Sequence, residues 1–140
     1  MRYSEAYRTR WHDTDANRRV RPSQLLVYMQ ETSNQHVASL GLPLDDLRDE
    51  KHLAFILSKL RLEIHKPLSA FEDIRVETWT NPARGFSSGR SFRILRGDEV
   101  IAEAIELLGR DIAVIHIKDY VNNGTDNMPC MAAGLGEMDY

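Results

Sequence analysis

Cysteine is nearly absent from this chain: Cys130 stands alone among 140 residues. No internal disulfide can form, and a reducing, cytoplasmic setting is the expectation. No apolar run approaches the ~20 residues of a membrane span, and the opening "MRYSEAYRTR" has no apolar core of a signal peptide. Neither a membrane partner nor export is therefore expected. Glycine is sparse at eight residues, and there is no G-x-S-x-G elbow, phosphate loop or dinucleotide fingerprint. No cofactor is expected. The length is one domain's worth, and 42% hydrophobic with 28% charged residues is the composition of a soluble globular protein.

Lysine is scarce as well, four residues against fourteen arginines, and the charge is unevenly placed. Residues 1–97 carry +4 and residues 98–140 carry −7, giving the net −3. Arg2, Arg8, Arg10, Arg18, Arg19 and Arg21 crowd the first 21 positions. Guanidinium forks suit phosphate and carboxylate partners. The excess is too small for a nucleic-acid partner. It fits an acidic carrier protein or a phosphorylated cofactor, or else a solvated face.

Along the chain, "YSEAYRTRW" alternates and reads as a strand. "RPSQLLVYMQETSNQHVASLG" reads as a helix, opened by Pro22 and Ser23 and stopped by Gly41, with Leu26, Met29, Ser33, Val37 and Leu40 on one face. "LPLDDLRDEKH" is a loop or a short turn of helix. "LAFILSKLRLEI" places Leu60, Leu62 and Ile64 inward, and "DIRVETWT" does the same with Ile74, Val76 and Thr78. "NPARGFSSG" reads as a turn. "RSFRILRGDEVIAEAI" reads as a hairpin around "RGDE".

One strand, a long helix and at least four further strands make an α+β pattern, most economically an antiparallel sheet wrapped around the helix. That is the architecture of the hotdog fold. Residues 7 to about 104 resemble the N-terminal hotdog domain of acyl-[acyl carrier protein] thioesterases. The likeness rests on "YRTRWHDTDANRRVRPSQLLVYMQETSNQHVASLG", "FILSKLRLEIHKPLSAFEDIRVETWT" and "GRSFRI…EVIAEA". It implies hydrolysis of acyl thioesters carried on a phosphopantetheine arm, either of acyl carrier protein or of CoA. In that family two hotdog copies share one chain and the second carries the catalytic residues. A single copy implies a homodimer.

"WHDTDANRRV" is the densest chemistry in the sequence. Smaller single-domain hotdog thioesterases have a similar "D-x-D-x-x-G-x-V" segment whose second aspartate is nucleophile or base, which makes Asp15 the candidate here. The sequence departs from that pattern at Arg18 and Arg19. By the same resemblance Glu31, in mid-helix, is a second catalytic candidate, and Asn17, Gln30, Arg18 and Arg19 are candidates for holding substrate. A carboxylate in a strand-to-helix loop can attack a thioester or activate water, and the start of a helix offers amides to the developing oxyanion. The competing readings are an Asx turn for Asp13 and Asp15 and a plain solvated glutamate for Glu31. His12 and His36 are bases by residue type alone. His12, Asp13 and Asp15 lie side by side with no distant fourth ligand, so no metal is expected.

The end of the chain is unlike the rest. "IAVIHI" is a continuous apolar run of the kind found in strands buried on both faces. "IELLGRDIAVIHIKDY" and "AAGLGEMDY" resemble a late strand and loop of TIM-barrel sugar-phosphate isomerases/epimerases. There His116 matches a metal-ligand histidine and Leu135 replaces the following glutamate. The expected division is a hotdog domain over 1–107 and an atypical segment over 108–140, an extra strand plus an irregular tail. Three functions follow: an acyl thioesterase, a non-catalytic acyl-binding module, or an epimerase remnant.

Overall fold

Residues 73–80 alternate in the sequence, and in the computed structural model they form one strand with Ile74, Val76 and Thr78 buried. Residues 1–50, 52, 57–83, 87–109, 119–120 and 130–131 are described. In chain order they form β1 (Tyr3–Arg8), a 3-10 turn (Trp11–Asp13), α1 (Pro22–Ser39), α2 (Leu44–Asp49), β2 (Leu57–Ile64), β3 (Asp73–Thr80), β4 (Ser87–Arg96) and β5 (Glu99–Gly109). Two further pairs, β6 (Asp119–Tyr120) and β7 (Cys130–Met131), face each other as a separate two-stranded unit.

The five long strands make one antiparallel sheet in the order β1-β3-β4-β5-β2. Helix α1 packs on the face of β1 and β3. This is the α+β hotdog arrangement that the sequence pattern implied. The inward positions run across the sheet in rows. Thr78, Phe92, Ala104 and Leu62 are register partners, as are Val76, Ile94, Ala102 and Ile64. The apolar members of these rows other than Ile64, with Leu25, Tyr28 and Met29 of the helix, form the core. Gly97 opens the two-residue turn between β4 and β5 with a φ of 61°. A positive φ at the first central position is what a II′ hairpin turn requires, and glycine adopts it without a Cβ penalty.

Several local expectations are corrected. The buried face of α1 is Leu25, Tyr28, Met29, Thr32, His36 and Val37, while Leu26 and Ser33 are half-buried and Leu40 is exposed beyond the helix end. The apolar spacing missed this because three of the inward residues are polar and are buried through hydrogen bonds rather than by hydrophobicity. Ile64 is 44% exposed, since it ends the edge strand β2 beside an open cleft. Ser87–Gly89, read as part of a turn, already belong to β4. Residues 105–109, the start of the epimerase-like segment, are the end of β5 and pair with β4 and β2. The "IAVIHI" run lies outside the described residues, so the epimerase resemblance gains no support.

One inward row is charged. Arg90 of β4 sits opposite Glu106 of β5, and both are buried. Arg90 Nη1 donates to His36 Nδ1 at 2.9 Å and to Thr78 Oγ1 at 3.1 Å. Arginine has no acceptor, so His36 must accept through Nδ1 and is held neutral there. Burial, then the Arg90 charge, lower the His36 pKa below its usual range. Burial raises that of Glu106, against the pull of Arg90. The Tyr3 ring stacks on His36 at 5.1 Å between centroids.

Candidate active site

The loop from β1 to α1 is pinned at three points. Buried Thr9 comes first: its N–H donates to Glu72 O at 2.9 Å, its hydroxyl donates to Ser69 O at 2.7 Å, and its carbonyl accepts from Phe71 N at 2.9 Å. Asp13 is second, buried at 1% exposure. Its Oδ2 accepts from the Arg10 amide at 2.9 Å and from the Tyr28 hydroxyl, and its Oδ1 accepts from Arg10 Nη2 at 3.3 Å. Burial alone would raise the Asp13 pKa, but those donors and the guanidinium charge hold it below the usual carboxylate range. The same contact, after burial, helps push Tyr28 up to about 12. Val20 is third, donating its N–H to Leu68 O at 2.7 Å.

Between Thr14 and Val20, which form an isolated bridge, the chain makes a tight turn around Asp15. The Asp15 amide donates to Arg19 O at 2.8 Å, and Asp15 Oδ1 accepts from the amides of Asn17 at 2.8 Å and Arg19 at 3.1 Å. Arg18 sits there with a φ of 61°, in the left-handed region where a side chain costs roughly 1–2 kcal/mol. It occupies the position that is glycine in the single-domain pattern. A positive φ is what glycine adopts without a Cβ penalty.

Asp15 stands at a cleft of about 370 Å³. One wall is the loop and helix start, with Arg19, Val20, Pro22 and Leu25. The other is the end of β2 and the loop after it, Ile64 to Leu68, and Ile101 and Ala102 of β5 complete the lining. The backbone amides of His65 and Lys66 both donate to Ile101 O, at 2.8 and 3.2 Å, which fastens that wall to β5. The cleft therefore joins a carboxylate, an imidazole and two cations to an apolar lining. A carboxylate so placed can attack a carbonyl carbon or draw a proton from water. Pro22, the first helical residue, has no N–H, so Ser23 supplies the first amide of α1.

The other sequence candidates are dispersed. Asn17 and Arg18 are exposed on the same turn but do not line the cleft. Gln30 and Glu31 are exposed on α1 away from it, and Glu31 Oε1 accepts from Gln35 Nε2 at 3.0 Å. His12 is exposed and His36 belongs to the charged row. Three features escaped the sequence reading: the Asp13–Tyr28 contact, the His65–Lys66 wall, and the inward Arg90 and Glu106. Only the last had a signal, since Arg90, Phe92 and Ile94 share one face of a strand. Among the described residues no group of three His, Cys, Asp or Glu is placed to hold a metal ion. No helix among them is long and apolar enough to cross a membrane.

Residues 1–108 match the model of the acyl-ACP thioesterase N-terminal domain. No curated protein matches the sequence. Solved structures with a similar fold include a hypothetical protein from Aquifex aeolicus, 22% identical with a TM-score of 0.72, covering 76% of this chain and 86% of that one. A 1,4-dihydroxy-2-naphthoyl-CoA thioesterase from Synechocystis is 16% identical, with a TM-score of 0.72 and coverage of 78% and 81%. An acyl-ACP thioesterase from Bacteroides thetaiotaomicron is 18% identical with a TM-score of 0.71, and the match covers 77% of this chain but 44% of that one.

Proposed function

Because the chain belongs to the acyl-ACP thioesterase N-terminal domain family through residues 1–108, we propose that it hydrolyses acyl thioesters carried on a phosphopantetheine arm, of acyl carrier protein or of CoA. The observation that carries this reading is the Asp15 carboxylate at the mouth of the part-apolar cleft. In this role Asp15 takes a proton from the attacking water and passes it to the thiolate as the C–S bond breaks. Alternatively it attacks the carbonyl itself and expels the thiolate, which takes a proton from solvent, and water then cleaves the acyl-Asp15 anhydride to the free acid. On the same reading Arg19, with Arg18 and Asn17 beside it on the turn, faces the phosphorylated arm, while Lys66 on the opposite wall is paired with Glu99. Glu31 and Gln30 would need a second subunit to reach the same substrate. The solved thioesterases of similar fold support the reaction class, and the arginine-rich front supports an anionic carrier.

The protein acts in the cytoplasm as a homodimer on this reading. The sheet order leaves β1 and β2 at its edges, and the exposed Leu57, Ile64 and Ile105 lie on and beside β2. Pairing across a twofold would cover them. On this reading the chain divides into a hotdog domain over 1–107 and a distinct segment over 108–140 whose first two residues complete β5. Thiol release from acyl carrier protein and acyl-CoA thioesters of graded chain length tests the activity, and sedimentation tests the dimer. The second reading, an acyl-binding module without chemistry, is favoured by one observation: Asp15 Oδ1 is occupied by two amides of its own turn. Saturable acyl binding without thiol release would decide for it.

A further inference from the structure

We infer that Asp13, not itself a cleft residue, is the positioning residue that sets Asp15 over the cleft, acting through Tyr28. The inference rests on the thioesterase reading for its meaning in turnover, but its geometry stands apart from it. Asp13 is the buried carboxylate of the loop, and it gathers three separate stretches of chain. Its side chain takes the Tyr28 hydroxyl from the second turn of α1 and two donors of Arg10 from the loop start. Its carbonyl takes the Arg21 amide at 2.9 Å, immediately before the helix. Tyr28 is itself fixed, with its ring against that of Tyr7 at 5.0 Å and its carbonyl accepting from Thr32 Oγ1 at 2.8 Å. The hydroxyl of Tyr7 closes the set on Thr32 at 2.9 Å.

Asp15 has no such anchor. Its side-chain oxygen binds only amides of its own turn, Asn17 and Arg19. Among the described residues, nothing in the turn itself beyond the Val20 amide on Leu68 O fixes its tilt, so it can keep its internal geometry and still pivot about that bond against Leu25, Ile101 and Ala102. Asp13, two residues away, holds it by a side chain to the element that also carries Leu25. A charge-assisted bond inside the protein is strong and directional, and the donor ring is buried against Tyr7. The latch therefore fixes the angle of the Asp15 turn to the cleft, which is the coordinate that near-attack geometry depends on.

Tyr28→Phe tests this, because it removes the hydroxyl and keeps the packed ring. Amide hydrogen exchange is read at Arg10 and Arg21, whose amides donate to Asp13, and at Val20, whose amide donates to Leu68 O, together with kcat and KM on an acyl-CoA substrate. The expected result is exchange faster by about tenfold or more at these attachment amides, the scale of one hydrogen bond to a charged group, with β3 and β4 amides unchanged. kcat should fall by a similar factor while KM stays within about twofold, as for a contact that matters in the transition state. Asp13→Asn should reproduce both. Leu47→Ala, a buried change in α2, serves as the control for lost stability alone. Unchanged exchange at Arg10, Val20 and Arg21 overturns the inference, and so does Leu47→Ala losing as much kcat at equal destabilisation. If the wild type releases no thiol, the functional reading fails, whereas the exchange result still decides the latch.

Discussion

Arg90 and His36 meet at 2.9 Å between the sheet and α1, with the guanidinium donating to Nδ1 of the ring. Glu106, its register partner on β5, acts on this buried cation through charge rather than a direct bond, and Arg90 Nε is left without a partner among the described residues. Removing the guanidinium takes the donor from His36 and Thr78 and the compensating charge from Glu106. Arg90→Met should cost about 1–3 kcal/mol, the scale of a buried polar group losing its partner. The double change Arg90→Met with Glu106→Gln should recover much of that. Urea midpoints of the two variants against wild type measure both.

Acid should act on this row and on Asp13 in a fixed order. His36 has a folded pKa below its usual 6.5. As pH falls through 6.5 the unfolded chain takes up a proton that the folded one refuses, so stability drops. Glu106 works the other way: its folded pKa lies above 4.5, so acidification relieves the cost of its buried charge. Asp13, with a folded pKa below 3.8, keeps its contribution above 3.8 and loses it only as pH falls further. The groups acting on His36 are the Arg90 guanidinium, the stacked Tyr3 ring and the charge of the N-terminus. His36→Gln should flatten the loss between pH 7 and about 5, and Glu106→Gln should steepen it. Denaturation midpoints across that range give the answer.

Asp15→Asn should leave the fold intact, since the residue is exposed and an amide oxygen can still accept from Asn17 and Arg19. Turnover should fall by at least about a hundredfold, because a carboxamide is neither nucleophile nor base. Glu31→Gln, on the exposed helix face, should fall comparably only if a second subunit brings Glu31 to the substrate. Initial rates of thiol release for both variants, at matched protein concentration, separate the two carboxylates.

Arg18→Gly offers a gain. The left-handed backbone at this position, φ 61°, costs an arginine roughly 1–2 kcal/mol, and a glycine returns about half of that as unfolded-state freedom. The net expectation is a stabilisation of up to about 1 kcal/mol. If the Arg18 guanidinium also holds the phosphorylated arm, KM should rise in the same variant. Thermal melting and a KM measurement read the two effects from one preparation.

Much of the sheet was legible because two-residue alternation survives wherever one face is buried. "DIRVETWT" became β3 to the residue, and "RGDE" marked the β4–β5 turn. The helix was legible in extent but not in rotation. Tyr28, Thr32 and His36 are drawn inward by Asp13, Tyr7 and Arg90, partners more than a dozen residues away that no local pattern displays. The aspartate pair at 13 and 15 stood out by residue type. Which of the two is buried and which faces the cleft depends on a tyrosine fifteen residues on. His65 and Lys66 joined the cleft because β2 pairs with β5, a contact of long sequence separation.

The strand order also sets a timetable for synthesis. β1 emerges before the other strands, yet its neighbour among the described strands is β3 alone, and Tyr3 pairs with Thr78, 75 residues later. At ~5–20 residues per second the segment stays unpaired for roughly 4–15 s. Its outward positions, Ser4, Ala6 and Arg8, are small or charged, which suits a strand that must wait without recruiting the wrong neighbour. β4 and β5, separated by two residues, can zip together within microseconds of leaving the ribosome. The hairpin at the end of the sheet's sequence is thus the natural seed of the fold, and the oldest strand is among the last to be used.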